Sequence, residues 1–451
     1  MAISDYKVDN LFLLVGNNTL PNYVSAQLLA DSQTQIFLVY SEGTSDQRKW
    51  LNDLLSGKGY QQITPIEVEE ANPKDIRNQV LKAAHSLTGT IGLNYTGGTK
   101  TMAVHAYNAI QQEVVNVTSY FSYLDARTLS MVIEGSGLTY PKAIKVNRAV
   151  KLSVDELLRL HGIEAKFSTE PPLWPKSAAA IAKVHANQAD HKRWQRWIAK
   201  TFFKDIKERE WPQVVKKEDR ECPQVVKKED RECPQVVKED DRENAWKQWV
   251  RQRFILEEYK RRQWKTKGML AKTPFELPDS LKDVATELAK EANFALPITM
   301  REIMKKGGFR KAEKFGKWFE GLWLESFVLA HALELKNKGV IDSIAANIDT
   351  SGTPDFEFDV AMMRGYQLFA LSCTTSDNKG LCKSKLFEAV SRAEQMGGAE
   401  ARVGLVTCFD NPSVLLNEVK DLLGEKRVRV FGRQQLLGIK GELETWLNQA
   451  G

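Results

Sequence analysis

Apolar positions in the first third of the chain fall in short unbroken runs separated by amphipathic stretches. Residues 11–15 (Leu-Phe-Leu-Leu-Val) and Gln35–Tyr40 have almost no polar alternation, the pattern of strands buried on both faces. Ile63–Val68 and Gly89–Asn94 read as two more strands. Pro21–Ala30, Ser45–Leu55, Asp75–Leu87 and Thr99–Gln112 have helical character between and after them. Strands alternating with helices of about ten residues imply βαβ units and a parallel sheet. A doubly wound α/β domain is therefore predicted over 1–145, finished by paired strands around Val117–Tyr123 and Leu129–Ile133.

The pattern then turns helical. Ser153 begins a short segment with acids in its first turn and Gly162 at its end, which predicts a connector helix. His185–Phe203 is predicted as one helix, with Trp194 and Trp197 on one face. Residues 212–222 (PQVVKKEDREC) recur identically at 223–233, and a third copy begins at Pro234. The eleven-residue period suits a right-handed supercoil in principle. The proline opening each copy interrupts any helix, however, so 212–243 reads as a solvent-exposed spacer. Beyond it, Trp318–Leu335 predicts a helix, Ile341–Ile348, Phe356–Met363 and Tyr366–Ser372 strands, Lys385–Met396 a helix and Arg402–Cys408 a strand. One more strand and helix follow Glu425. This describes a second, smaller α/β layer structure, and divides the chain at 1–150, 151–310 and 311–451.

Composition narrows the class. A hydrophobic share of 42% and a charged share of 27% fit a water-soluble globular chain. No apolar run approaches the ~20 residues that span a bilayer, and the N-terminus lacks a signal-peptide layout. A cytoplasmic protein without membrane contact is the expectation. The five cysteines form no CxxC pair, which argues against a zinc site or disulfide framework. The net charge of +6 matters less than where the charge lies. Ala245–Lys267 holds eight Lys or Arg against two Glu, interleaved with three tryptophans, and Arg301–Lys317 holds seven basic residues against two acidic. Such stretches can neutralise phosphates and stack bases. A solvated helix face with its tryptophans turned inward fits each alone equally well.

Two segments carry candidate chemistry. Asn94-Tyr95-Thr96-Gly97-Gly98-Thr99-Lys100 closes a strand and opens a helix, so free backbone N–H groups and the positive helix end aim at an anion. Gly97 and Gly98 permit close backbone approach, Lys100 adds a charge, and Thr96 and Thr99 add hydroxyls. The Walker A spacing is missing. A second turn, Gly16-Asn17-Asn18-Thr19, follows the first strand, and in an open α/β sheet both turns lie where ligands bind. The strand, NYTGGTKTM and its helix closely resemble the signature of CARF domains, the CRISPR-associated Rossmann-like sensors, over about residues 8–150. The resemblance implies a cyclic oligoadenylate ligand, a homodimer with the ligand on its two-fold axis, and contacts from Gly97, Gly98, Thr99 and Lys100, with Gly16, Asn17, Asn18, Thr19 and Thr96 around it. Some CARF domains also cleave their ligand.

The second segment is C-terminal. Metal-dependent phosphodiester cleavage needs carboxylates converging on Mg²⁺ or Mn²⁺ and usually a lysine. Glu325 lies in Gly-Leu-Trp-Leu-Glu-Ser on a helix, and Asp359 in Phe-Glu-Phe-Asp-Val on a strand, where it shares a face with Glu357. Helix Glu, strand Asp, hairpin and third strand resemble the PD-(D/E)XK nuclease fold, and more narrowly the CARF-fused nucleases of type III CRISPR systems. Lys385-Leu386-Phe387-Glu388 and Gly397-Gly398 match that family's later motif. The third strand departs from it: Ser372-Cys373-Thr374 stands where Glu-x-Lys is usual. A lysine relocated to Lys379, Lys383 or Lys385, with Glu357 or Asp355 completing the metal shell, would keep the site active. A degenerate site would leave a nucleic-acid-binding regulator.

The resemblance therefore implies a Rossmann-like CARF domain over 1–150, a helical connector, and a PD-(D/E)XK-like α/β domain over 311–451. Cyclic tetra-adenylate is the implied activator of metal-dependent cleavage of DNA or RNA, with Glu325, Asp359, Lys383 and Lys385 catalytic and Glu325, Asp359 and Glu357 on the metal. Cys373 reads as a small buried thiol, because nothing places a His–Asp pair beside it.

Overall fold

The computed structural model describes residues 2–114, 117–164, 166–168, 171–204, 264–349, 357–423 and 427–449. The repeat at 212–243, the stretch 245–263 and Asp355 lie outside them. Contacts divide the chain into two compact units, Met1–Ala186 with Leu324–Gly451, and Asn187–Trp323.

The first unit contains two sheets. The first sheet comprises β1 (Asn10–Leu14), β2 (Gln35–Tyr40), β3 (Ile63–Glu67), β4 (Ile91–Asn94), β5 (Ser119–Asp125), β6 (Ser130–Gly135) and β7 (Lys142–Lys145), in the order β3-β2-β1-β4-β5-β6-β7. β3 to β5 are all parallel to β1, while β6 and β7 add an antiparallel edge. Strands run outward from β1 through β2 to β3, then resume on its other side with β4. The strand order reverses between β1 and β4, and that is where an open sheet leaves a crevice.

The second sheet contains β8 (Lys166–Ser168), β9 (Ser343–Asp349), β10 (Glu357–Arg364), β11 (Gln367–Thr374), β12 (Arg402–Thr407) and β13 (Val428–Phe431), in the order β13-β12-β11-β10-β9-β8. β9, β10 and β11 form an antiparallel meander, while β12 and β13 run parallel to β11. The helix Lys379–Gly397 crosses from β11 to β12. The fold is thus mixed α/β, with an N-terminal Rossmann-like sheet, helices and a C-terminal α/β layer, as the sequence pattern predicts.

One face of β1 (Leu11, Leu13) joins a core that continues through Leu152 and Leu157 of the connector to Ala361, Leu368, Leu386 and Leu405 around the second sheet. The other face (Phe12, Leu14) packs with Phe37, Ile76, Val80, Met102 and Ile110. The connector is also pinned by polar contacts. Leu152 N–H donates to the Gly365 carbonyl at 3.1 Å, and Asp342 meets Lys151 at 3.0 Å and Arg148 at 3.7 Å. Gly365 has φ +62°, and a Cβ there would lie 2.1 Å from the Asn147 carbonyl oxygen, so this approach requires glycine.

The second unit is helical and aromatic-rich. Trp194, Trp197, Phe202, Phe315 and Phe319 are buried together. The Trp194 indole donates to the Phe319 carbonyl at 3.1 Å, and that of Trp197 to the Glu276 carbonyl at 2.7 Å. The helix expected over His185–Phe203 runs over Gln188–Phe202, and a separate helix, Pro175–Ala186, comes before it. Asn187 separates them because its side chain accepts from Ala189 N–H at 2.9 Å and Asp190 N–H at 3.1 Å, which caps the second helix. Trp318–Leu322 is a π-helical turn ahead of the helix Trp323–Asn337. Among the described residues no helix is long and apolar enough to cross a membrane.

Candidate functional site

Two clusters in the first unit collect the residues singled out by sequence. The first lies at the carboxyl ends of β1 and β4. Gly16 and Gly98 come so close that a Cβ on Gly16 would lie 2.9 Å from the Gly98 nitrogen. A Cβ on Gly97 would lie 2.3 Å from the Leu14 carbonyl oxygen, and Gly98 has φ +71°. Glycine at both positions lets the β4 loop lie directly over the end of β1. Thr99 caps the helix Lys100–Glu113 by accepting from Met102 N–H at 3.2 Å. Lys100 and Asn17 are exposed.

Other members of this set hold the loops in place. The Thr19 hydroxyl is fully buried and donates to the Leu160 carbonyl at 2.7 Å. The Thr96 hydroxyl accepts from Leu124 N–H at 2.7 Å. Asn18 accepts from Leu20 N–H at 3.0 Å. The structure thus brings Gly16–Thr19 and Thr96–Lys100 together, with Lys100 and Asn17 presented outward and Thr19 turned in. Beneath the loop, the buried Asn22 amide donates to the Leu14 carbonyl at 2.8 Å, a support that sequence did not signal.

The second cluster lies around Asp359 on β10. Antiparallel pairing of β10 with β11 sets Val360 opposite Leu371, which brings Asp359 to Ser372. An Asp359 carboxylate oxygen accepts the Cys373 N–H at 2.5 Å and interacts with the Ser372 hydroxyl. Lys385, in the first half of the helix Lys379–Gly397, donates to the Cys373 carbonyl at 3.3 Å and acts electrostatically on Asp359. Burial raises the Asp359 carboxyl above its ordinary range, against the downward pull of Lys385, the Cys373 amide and Ser372. Burial likewise pushes the Cys373 thiol well up, reinforced by Asp359 and by Glu325 of the helix Trp323–Asn337. Glu325, Asp359, Ser372 and Lys385 therefore share one neighbourhood, and Cys373 is an inert, fully packed thiol.

The other lysines turn elsewhere. Lys383 pairs with Glu418 at 3.5 Å, and Lys379 with the same carboxylate. Glu357 begins β10, opposite Asp349 of β9. Where the resemblance has Glu-x-Lys on the third strand, β11 supplies a backbone amide and a serine hydroxyl to Asp359, and the helix after it supplies the ammonium. Sequence alone gave no signal for Ser372, because its role follows from cross-strand register. The oxygen-rich set of two carboxylates and a main-chain carbonyl suits a hard divalent cation. Two cavities of about 410 Å³ lie apart from both clusters, one beside Tyr107 and Glu134, the other beside Phe327 and His331.

Residues 11–155 match the family model of the Card1 CARF domain. No curated protein matches the sequence. Among solved structures, protein VC1899 from Vibrio cholerae superposes with TM-score 0.58 at 13% identity, covering 98% of each chain. Can2 from Sulfobacillus thermosulfidooxidans, solved in complex with cyclic tetra-adenylate, superposes with TM-score 0.57 at 13% identity, covering 99% of this chain and 98% of that one. Residues 11–155, which include the first sheet and its two loops, are thus similar to the Card1 CARF domain, and the chain as a whole has a fold like that of these two proteins.

Proposed function

We propose that this chain is a CARF-linked effector of type III CRISPR defence, in which a cyclic oligoadenylate switches on cleavage of nucleic acid. The observation that carries the reading is the pairing of a phosphate-ready crevice at Gly16–Thr19 and Thr96–Lys100 with the Glu325–Asp359–Lys385 cluster in the same compact unit. Free amides at the start of the helix Lys100–Glu113 and the Lys100 charge favour a phosphate-bearing ligand. The Can2 complex supports cyclic tetra-adenylate as that ligand. Exposed Val104 and Tyr123 beside the loop are apolar surface for a second copy, which supports a homodimer around the ligand.

At the second cluster, Asp359 and Glu325 would hold Mg²⁺ or Mn²⁺; Glu357 is the third metal ligand we propose, on the same strand as Asp359. A bound ion there would lower the pKa of water and polarise a phosphate. Lys385 places its ammonium where charge builds on the phosphate, and the Ser372 hydroxyl and Cys373 amide fix the Asp359 carboxylate. The basic residues Arg301, Lys305, Lys306, Arg310, Lys311, Lys314 and Lys317 of the second unit are all exposed and supply sequence-independent grip on DNA or RNA.

The test is cleavage of plasmid, single-stranded DNA and RNA with Mn²⁺ or Mg²⁺, with and without cyclic tetra-adenylate. Ligand-dependent cutting should fall by roughly a thousandfold or more in Asp359→Ala and about a hundredfold in Lys385→Ala, with Lys383→Ala close to wild type. Ser372-Cys373-Thr374 on β11 favours a second reading, a regulator that binds nucleic acid without cutting it. Ligand-dependent binding with no products under either metal would establish that reading. Linear products from the ligand itself would point to a CARF domain that degrades its own signal.

A further inference from the structure

One helix touches both clusters. Near its start, Lys379–Gly397 carries Lys385, bonded to the Cys373 carbonyl and facing Asp359. At its end, the Met396 carbonyl accepts the His161 Nε2 proton at 2.7 Å. Two residues on, Gly398 has φ +63°, and a Cβ there would lie 2.5 Å from the Asn18 side-chain nitrogen. Asn18 belongs to the first crevice loop. Its neighbour Thr19 holds the Leu160 carbonyl, immediately before His161, through a fully buried hydroxyl. The crevice loop thus lies close against the end of this helix at Asn18, and is bonded to it through Thr19, Leu160 and His161.

Between those grips and Lys385 lies continuous α-helix, a rod that rises about 1.5 Å per residue and so transmits displacement rather than absorbing it. Its inner face, from Cys382 through Leu386, Ala389 and Ala393 to Met396, is apolar and lies over β11 and β12. Such a face permits the small sliding motions seen between packed helices and sheets.

We propose that the helix Lys379–Gly397 couples the crevice to the acid cluster, with Asn18 and His161 as its grips. A ligand seated on Gly16–Thr19 moves the helix end and so sets the reach of Lys385 toward Asp359. This rests on the reading above, that the crevice binds a cyclic oligoadenylate and the cluster cuts.

The experiment uses the full chain, wild type, His161→Ala and His161→Gln, with cyclic tetra-adenylate as the probe. Three quantities are read: calorimetric binding, amide exchange of residues 393–398 with and without ligand, and the ratio of cleavage rates with and without ligand. In wild type, the ligand should change exchange at 393–398. His161→Ala should still bind but lose that exchange response, and its activation ratio should fall by about tenfold or more. His161→Gln, whose amide N–H can still donate to Met396, should recover both. Exchange at 393–398 that ignores bound ligand, or His161→Ala with response and ratio intact, overturns the coupling. Binding and exchange response without any cleavage would remove the nuclease reading and leave the coupling standing. Absence of ligand binding would remove the sensor reading and the coupling with it.

Discussion

At the scale of single residues, the structure separates groups that sequence could only place side by side. Lys383 and Lys385 are two positions apart, yet one meets Glu418 and the other faces Asp359. Helical spacing puts them about 200° apart around the axis, but only the position of β11 decides which one looks inward. The glycines of the crevice were legible because a strand-to-helix turn demands them. Gly97→Ala should therefore destabilise the unit by about 1–3 kcal/mol through its clash with the Leu14 carbonyl, and weaken ligand binding as well. Thermal melts and a ligand titration check both. Thr19 was legible as part of the loop but not as a buried strut, since its partner Leu160 is remote in sequence.

Glu400 gives a pH prediction at the same scale. It is 3% exposed, and burial raises its carboxyl despite Arg402 and Arg427 nearby. An acid raised in the folded state costs stability as pH climbs from its unfolded value, about 4.3, through the folded one, and that loss persists above it. Glu400→Gln should match wild type in acid and melt higher than wild type near neutrality. A melting-temperature difference that does not grow with pH would count against this account.

At the scale of elements, the parallel strands of the first sheet declared themselves through unbroken apolar runs. Shorter pieces did not: β7 and β8 have four and three residues, too few for a period to register. The helix Pro175–Ala186 was not read, and the start of the next was set at His185, ahead of the Asn187 cap that begins it. Asn187→Ala should cost about 1 kcal/mol by freeing two amides at the start of the next helix, seen as a lower melting midpoint with helix content nearly unchanged. The succession of helix, meander, helix and strand in the second sheet's layer was readable in outline. That Ser372 and the Cys373 amide meet Asp359 was not, because it depends on register between β10 and β11.

At the scale of the molecule, one core runs from the CARF sheet through the connector into the second sheet. A fragment ending at residue 155 keeps the whole Card1-type match but loses the cover over Leu152 and Val154. Such a fragment should bind apolar dyes and self-associate, as size-exclusion chromatography and dye fluorescence would reveal. A well-behaved monomer of that length would show the core to be divisible. The full extent of this shared core was not legible in sequence, because its contacts join residues far apart in the chain.

The same unit has a consequence for how the chain has grown. It closes on itself from two segments, one ending at Ala186 and the other resuming at Leu324, so everything between is an excursion whose two ends are already anchored. The duplicated blocks at 212–243 fall inside that excursion. Tandem duplication within a sheet would shift every register; between Ala186 and Leu324 it shifts none of the strand pairs of this unit.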